Sequence, residues 1–207
     1  MPCPHCISAD KLFDPRVARR ELAKLHRRGP SASTRKLIDA LPRGSLLDIG
    51  GGVGAIQHAF APSTDRITHV DASKAYIAVA KEELERLGFT TSDHRFGDFV
   101  AIEAEITEHE VVTLDRVLCC YPDLAALVAT STSKASRAWG VVFPKERWWS
   151  RAGASVMNFA LRIKGSDYQA YVHPEAQIQS LAEAAGLRLT STSSTWLWNV
   201  WAFTRLA

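Results

Sequence analysis

Short apolar runs alternate with longer amphipathic stretches along most of this chain. The apolar runs predict buried strands, because they are five to nine residues long and are bounded by turn residues. The longer stretches predict helices that cover the faces of a sheet. The predicted strands are 45–49, 66–70, 91–96, 110–118, 137–143, 187–193 and 196–204, and the helices between them are 54–61, 73–87, 123–134, 148–163 and 174–185. This alternation indicates a doubly wound α/β fold with a mainly parallel sheet, closed by an antiparallel hairpin.

A helical segment precedes the first predicted strand. Asp14 followed by Pro15 is typical of a helix start, because the aspartate caps the helix and the proline lacks an N–H where none is needed. We therefore expect a helix over 15–28, ended by a Gly-Pro pair, and a second, shorter helix over 34–41.

Positive charge is concentrated in residues 1–42. Nine basic and four acidic side chains give this segment a net charge of +5, whereas the whole chain carries +3. Such a run is most often a solvated helix face, so we do not expect a nucleic-acid partner. The chain is divided accordingly into an N-terminal helical lid segment, residues 1–42, and a ligand-binding domain, residues 43–207.

The composition is that of an ordinary globular domain, with 46% hydrophobic and 23% charged residues. No run of about 18 apolar residues is present to span a bilayer, and the first ten residues lack the apolar stretch of a secretory signal. The sequence therefore predicts a cytoplasmic protein with no membrane partner. It leaves the oligomeric state open.

A glycine-rich turn joins the first predicted strand to the helix after it. The turn contains Gly50, Gly51, Gly52 and Gly54. Glycine lets the backbone turn tightly and approach a ligand closely, since a Cβ would occupy the space that the ligand needs. We expect this turn to bind a ligand at the carboxyl edge of the sheet.

The glycine spacing alone does not select one ligand class. Gly50, Gly52 and Ala55 also satisfy the loose fingerprint of dinucleotide-binding folds. Asp48, two residues before the first glycine, suits a pocket that meets a positively charged amino-acid group and would repel a pyrophosphate. The aspartate therefore disfavours a dinucleotide.

Acidic residues also follow the second and third predicted strands. Asp71, followed by Ala72, ends the second strand, where a carboxylate can accept hydrogen bonds from both ribose hydroxyls. Gly97, Asp98 and Phe99 follow the third strand and offer an acid to an adenine amino group and a ring to its face. Together these segments predict an adenosyl pocket.

With these three motifs in order, the chain resembles the class I S-adenosylmethionine-dependent methyltransferases over residues 45–205. The resemblance implies a Rossmann-like sheet of seven strands with the last strand antiparallel, and S-adenosylmethionine as cofactor. Residues 48–54 would be the first cofactor motif, Asp71 the ribose-binding acid, and Asp98 and Phe99 the adenine contacts. Residues 43–207 would then transfer a methyl group to a small-molecule acceptor whose accepting atom is undetermined.

Two other functions remain open from the sequence. A protein of this fold could bind S-adenosylmethionine or S-adenosylhomocysteine and regulate a partner without turnover. A nicotinamide-dependent oxidoreductase is the third alternative, disfavoured by Asp48 and by the absence of a Tyr-x-x-x-Lys pair.

Asp115 lies in the fourth predicted strand, whose carboxyl end is expected to face the methyl group of the cofactor. Relatives that methylate nucleobase amines have Asn-Pro-Pro-Tyr or a close variant here, whereas this chain has Asp-Arg-Val-Leu, so that chemistry is not expected. Catechol-type enzymes, which bind magnesium, need an Asp-Asn pair after the fifth strand, where this chain has Pro144-Lys145, so no metal site is predicted. Asp115 is therefore a candidate both for the cofactor pocket and for catalysis, as a hydrogen-bond partner, a weak base or an ion-pair partner of an arginine.

Two further side chains could remove a proton from the acceptor. His173 precedes a predicted helix, and an imidazole titrates near neutral pH, although a histidine in this position is more often structural. Tyr121 is the alternative. Methyl transfer from a sulfonium needs mainly alignment and modest proton removal.

Aromatic residues are expected in two places. The cluster at 147–151, with Asn158 further along the same helix, follows the fifth strand and could form a wall of the acceptor pocket, favouring a flat or apolar acceptor. Trp196, Trp198 and Trp201 in the last strand are predicted to pack within the sheet.

The four cysteines form two close pairs, Cys3 with Cys6 and Cys119 with Cys120. If the N-terminal helices fold over the cofactor edge, the pairs could meet and hold zinc or a soft acceptor such as a metalloid. The simpler interpretation is a disordered N-terminus and two packed cysteines at the end of a strand.

Overall fold

A computed structural model describes the backbone of residues 4–206 and the side chains of residues 6–206. Seven strands form one sheet in the order β3-β2-β1-β4-β5-β7-β6. The strands are β1 (Leu46–Ile49), β2 (Ile67–Asp71), β3 (Asp93–Phe96), β4 (His109–Asp115), β5 (Ala135–Pro144), β6 (Leu187–Ser194) and β7 (Trp198–Arg205). β1 to β5 pair in parallel, and β7 pairs antiparallel with both β5 and β6. The predicted α/β fold with an antiparallel terminal hairpin is confirmed.

Nine α-helices connect and cover these strands in the described part of the chain. They are α1 (Pro4–Leu12), α2 (Pro15–Arg28), α3 (Ala32–Ala40), α4 (Ala55–Phe60), α5 (Lys74–Arg86), α6 (Phe99–Ile102), α7 (Leu124–Ser133), α8 (Trp148–Ile163) and α9 (Glu175–Ala184). Among the described residues, none of these helices is both long and apolar enough to cross a membrane.

The start of α2 forms as its sequence predicts. The Asp14 side chain accepts hydrogen bonds from the backbone N–H groups of Arg16 and Val17, and Pro15 occupies the first helical position. The expectation of a disordered N-terminus is wrong for residues 4–12, because these form α1. Within that helix Cys6 is buried, which gives the segment an anchor that its weakly amphipathic sequence did not reveal.

Helix α3 packs directly on the sheet. Leu37 and Leu41 lie so close to Gly140 of β5 that a Cβ there would come within 2.8 Å of both leucine side chains. The glycine therefore allows a close approach that fixes the end of the N-terminal segment against the core. Thr34, one turn earlier in α3, is thereby held beside the end of β4.

Strand order reverses between β1 and β4. β1 connects onward to β2 on one side, whereas β4 lies on its other side. In open α/β sheets a crevice forms at such a switch point, outside the carboxyl ends of the strands. The fold thus places the predicted motif residues at one edge of the sheet.

Candidate active site

A cavity of about 510 Å³ lies at this edge, within the size range of small-molecule sites. Its walls include most of the predicted cofactor residues. These are Asp48, Gly50, Gly51, Gly52, Asp71, Ala72, Gly97, Asp98, Phe99 and Asp115. Gly54 is not part of the wall; it has a φ of 81° and precedes α4, so it serves the geometry of the turn.

Asp48 anchors the glycine turn from beneath. Its carboxylate is fully buried and accepts hydrogen bonds from Thr113 Oγ1 at 2.7 Å and from Gln57 Nε2 at 3.0 Å. Burial raises the pKa of this carboxyl to about 6. The turn lies directly on it, because a Cβ on Gly51 would stand 2.3 Å from Asp48 Oδ2.

Asp71 joins the end of β2 to the same turn. One carboxylate oxygen accepts the N–H of Gly52 at 3.0 Å and the other accepts the N–H of Ser73 at 2.8 Å. A carboxylate oxygen has more than one lone pair, so Asp71 can still accept hydrogen bonds from hydroxyl groups of a ligand in the cavity. The geometry therefore suits a ribose at this position.

Asp98 and Phe99 form the next part of the wall. Asp98 caps α6 by accepting the N–H of Val100 at 3.1 Å, and Phe99 is buried beside it. Tyr121 donates its phenol O–H to the Asp98 carboxylate, with oxygen separations of 3.0 and 3.2 Å. The structure thus hydrogen-bonds the catalytic candidate Tyr121 to Asp98, one of the predicted cofactor residues.

Asp115 lies at the end of β4 as an ion-pair partner, one of the roles expected for it. Arg116 Nε donates to Asp115 Oδ1 at 3.0 Å, and Thr34 Oγ1 donates to Oδ2 at 2.6 Å. Arg116 has a φ of 65°, a backbone conformation that costs a side-chain-bearing residue about 1–2 kcal/mol. Such strain is typical of functional positions, and both side chains line the cavity.

Three cysteines line the same cavity, namely Cys6, Cys119 and Cys120. The sulfurs of Cys119 and Cys120 are 3.6 Å apart, and the Tyr168 hydroxyl donates to Cys120 Sγ at 2.7 Å. Hydrogen bonding to the neighbouring thiol raises the pKa of Cys119, with burial acting in the same direction, and lowers the pKa of Cys120.

Members of both predicted cysteine pairs therefore line one cavity. Cys3 lies outside the described residues. Within residues 6–206, no three His, Cys, Asp or Glu side chains converge as metal ligands.

The structure does not bring His173 to the cavity. Its Nε2 donates to the backbone carbonyl of Leu118 at 2.9 Å, and its ring stacks on Tyr171. Burial lowers the pKa of this imidazole, which stabilises its neutral form. His173 therefore tethers the segment before α9 to the end of β4, which is the structural role common for such a histidine.

The aromatic predictions are only partly correct. Trp148 and Trp149 do not line the cavity, and from α8 Met157 does so instead. Trp201 is buried as predicted, and Trp198 packs against the core as predicted but also lines the cavity. Strand alternation does not reveal which end of a strand meets a ligand, so the sequence could not separate these roles.

Further wall residues come from segments without a motif. They are Phe13, Glu21, Lys24, Tyr76 and Tyr168. Phe13 lies between two tyrosines, with its ring centroid 5.3 Å from that of Tyr76 and 5.9 Å from that of Tyr168. These side chains meet only after α1 and α2 fold over the sheet edge, so their spacing in the sequence carries no signal.

Residues 47–132 match the model of a methyltransferase domain. The chain is 26% identical over 151 residues to a ubiquinone biosynthesis O-methyltransferase of Coxiella burnetii, covering 70% of this chain and 63% of that protein. The protein of the same name from Nitrosomonas europaea is 26% identical over 163 residues, covering 73% of this chain and 67% of that protein. The chain thus spans about two thirds of the length of these relatives.

Solved structures of methyltransferases have a similar fold. Magnesium protoporphyrin IX methyltransferase from Synechocystis with bound S-adenosylhomocysteine has a TM-score of 0.66 at 20% identity, covering 84% of this chain and 82% of that chain. An O-methyltransferase family 2 protein from Planctomyces limnophilus, in complex with apigenin, has a TM-score of 0.68 at 18% identity, covering 93% and 62%. This chain therefore has the fold of these methyltransferases, and its residues 47–132 match the methyltransferase-domain family.

Proposed function

We propose that this protein transfers a methyl group from S-adenosylmethionine to a small, largely apolar acceptor. The observation that carries the proposal is a single cavity that joins two unlike walls. One wall holds the glycine turn and the acids after β1, β2 and β3, and the other holds aromatic and thiol side chains. A polar adenosyl ligand suits the first wall, and an apolar acceptor suits the second.

Four residues of the cofactor wall have proposed roles. Asp71 is the proposed ribose ligand, Asp98 the partner of the adenine amino group, and Phe99 the surface against the adenine ring. Asp48 supports the turn and supplies negative charge near the amino-acid end of the cofactor. S-adenosylmethionine brings to this site an electrophilic methyl group on a sulfonium, which reacts without a metal or redox partner.

The other wall would orient the acceptor. Phe13, Tyr76, Met157 and Trp198 surround it with apolar surface and exclude water. Alignment of the accepting atom with the methyl group accounts for much of the rate in such transfers, because a positioned pair reacts as one molecule. We propose that the helical segment 1–42 closes this wall as a lid. The packing of α2 beside the glycine turn supports this proposal.

Asp115 is the proposed proton acceptor. It lines the cavity at the switch point, whereas the Tyr121 phenol donates to Asp98 and His173 is held against a backbone carbonyl. Arg116 and Thr34 fix the orientation of its carboxylate. So held, Asp115 would take the proton of an acceptor hydroxyl or thiol as the methyl carbon bonds to that atom and its bond to the sulfonium sulfur breaks.

Turnover with a labelled methyl donor tests the proposal. The protein is incubated with S-adenosylmethionine carrying a deuterated methyl group and a panel of apolar phenols, thiols and carboxylates, and products are detected by mass spectrometry. We expect a labelled product from at least one class, and a lower kcat in Asp115→Asn with an unchanged cofactor Kd. Asp39→Asn, an exposed carboxylate on α3, is the matched control. Cofactor binding without any labelled product would instead favour a regulatory binding protein.

A further inference from the structure

Helix α8 turns its apolar side chains away from the protein. Trp148 is 76% exposed, Val156 70%, Phe159 67% and Ile163 71%. Among the side chains of this helix, Ser150 is buried, and Ala154, Asn158 and Leu161 are half-buried. A 16-residue helix in a folded domain normally buries its apolar face, so this orientation requires a specific explanation.

The exposed apolar residues form one continuous face. At 100° per residue, Trp148, Phe159, Ile163, Val156 and Trp149 fall within an arc of about 100°. The four buried or half-buried residues lie on the opposite side of the helix. We call the exposed arc, residues 148, 149, 156, 159 and 163, the outer face.

Basic side chains border the outer face. Arg151 and Arg162 lie along one edge, Arg147 precedes the helix and Lys164 follows it. The helix itself contains no acid, and residues 145–164 carry five basic side chains against Glu146, a net charge of +4. Glu146 is paired with Arg151 at 2.6 Å.

Another tryptophan extends the surface at the beginning of α8. Trp196, in the turn between β6 and β7, is 79% exposed. The N–H of Lys145 donates to the carbonyl of Leu197 at 2.8 Å, so this turn lies beside the start of the helix. Tryptophan is enriched where a protein meets the polar boundary of a bilayer.

We propose that the outer face docks α8 in the plane of an anionic lipid bilayer. An exposed apolar arc with basic borders and aromatic residues is the pattern of helices that lie at a membrane surface. The charge favours lipid over a second copy of this chain, because two faces with the same +4 segment would repel each other. The expectation of no membrane partner rested on spanning segments, and surface docking needs none.

Docking would also explain where the acceptor comes from. Met157 of α8 is 43% exposed and lines the cavity, so one helix contributes to both the cavity wall and the outer face. A bilayer on the outer face would lie close to the cavity mouth and could deliver a lipid-soluble acceptor. This step rests on the proposed methyl transfer, whereas docking itself does not.

Sedimentation with lipid vesicles tests docking without cofactor or acceptor. The full chain is mixed with phosphatidylcholine vesicles with or without phosphatidylserine, and the bound fraction is measured against lipid concentration. We expect partitioning to the anionic vesicles that weakens at least tenfold in Phe159→Ser/Ile163→Ser. Arg151→Gln/Arg162→Gln should weaken binding to anionic vesicles and reduce the difference between the two lipids.

Leu87→Ser is the matched control, because Leu87 is also exposed, at 43%, but ends α5 rather than α8. All substitutions replace exposed side chains, so thermal unfolding should show intact folds. Absence of vesicle binding, or binding that the α8 substitutions leave unchanged, would overturn the proposal. Dimerisation abolished by Phe159→Ser/Ile163→Ser without vesicle binding would show that the face binds another copy. Because no cofactor is present, these outcomes are independent of methyl transfer.

Discussion

Replacing Asp48 by asparagine should stabilise the protein above pH 6. The carboxyl group is fully buried, and its pKa is raised from 3.8 to about 6. The folded state therefore holds this proton more tightly than the unfolded state does. The contribution of this carboxyl group to the free energy of unfolding is highest below pH 3.8. It falls as the pH rises to 6 and stays constant above that pH. At 1.36 kcal/mol per pKa unit, the charged carboxylate costs about 3 kcal/mol at neutral pH.

Asparagine fits the same position. It can accept the hydroxyl of Thr113, and Gln57 can rotate its amide so that Oε1, which has no partner in the structure, accepts the new N–H. We expect Asp48→Asn to gain about 3 kcal/mol at pH 8 and about half as much at pH 5. The gain at pH 8 corresponds to a rise in Tm of about 6–12 °C for a domain of this size.

Urea unfolding at both pH values measures these differences directly. Asp39→Asn should change neither value, because Asp39 is exposed. The same Asp48→Asn protein should bind S-adenosylmethionine more weakly, since the negative charge at the cavity is lost. If Asp48→Asn is less stable than the wild type at pH 8, or if its gain does not grow from pH 5 to pH 8, the account of Asp48 is wrong.

Two further predictions follow from local geometry. Gly51→Ala should abolish cofactor binding and lower the free energy of unfolding by about 1–3 kcal/mol, because its Cβ would collide with the buried Asp48. Gly153→Ala in α8 has open space around it and should raise the free energy of unfolding by up to about 1 kcal/mol. Calorimetry measures the binding and urea unfolding measures the stability of the two variants. Iodoacetamide should modify Cys120 faster than its neighbour, because the Cys120 thiol has the lower pKa, and Tyr168→Phe should slow that reaction. Peptide mass spectrometry over time would contradict this if the two cysteines react at equal rates.

Local signals in the sequence were sufficient for the sheet and for α2, but not for α1. The signals for the helix over 15–28, namely its capping residue, its first-turn proline and its terminal glycine, all lie within 16 residues of sequence. The helix forms with those bounds. The hairpin of β6 and β7 is specified by two adjacent strand patterns with a short connection. The glycine turn combines a buried strand, tight spacing and Asp48, and the structure places it at the cavity.

The acceptor side could not be predicted in the same way. Tyr168 comes from a loop without periodicity, and it reaches the cavity because the following residues are tethered to the end of β4. His173 carries a plausible catalytic group, but tertiary contacts use it to hold that tether. Trp148 and Trp149 satisfy the pattern of a pocket wall, and only the packing of α8 shows that they point outward. These outcomes depend on long-range contacts, which spacing along the chain does not encode.

Isothermal titration with S-adenosylmethionine, S-adenosylhomocysteine and a nicotinamide dinucleotide tests which cofactor the cavity binds. We predict binding of both sulfur compounds and none of the dinucleotide. Asp71→Ala should bind about 10- to 100-fold more weakly, the loss expected for charge-assisted hydrogen bonds to a ribose, with thermal unfolding as a check on its fold. Binding of the dinucleotide in preference, or equal affinity of the wild type and a folded Asp71→Ala for S-adenosylmethionine, would contradict the assignment of this cavity.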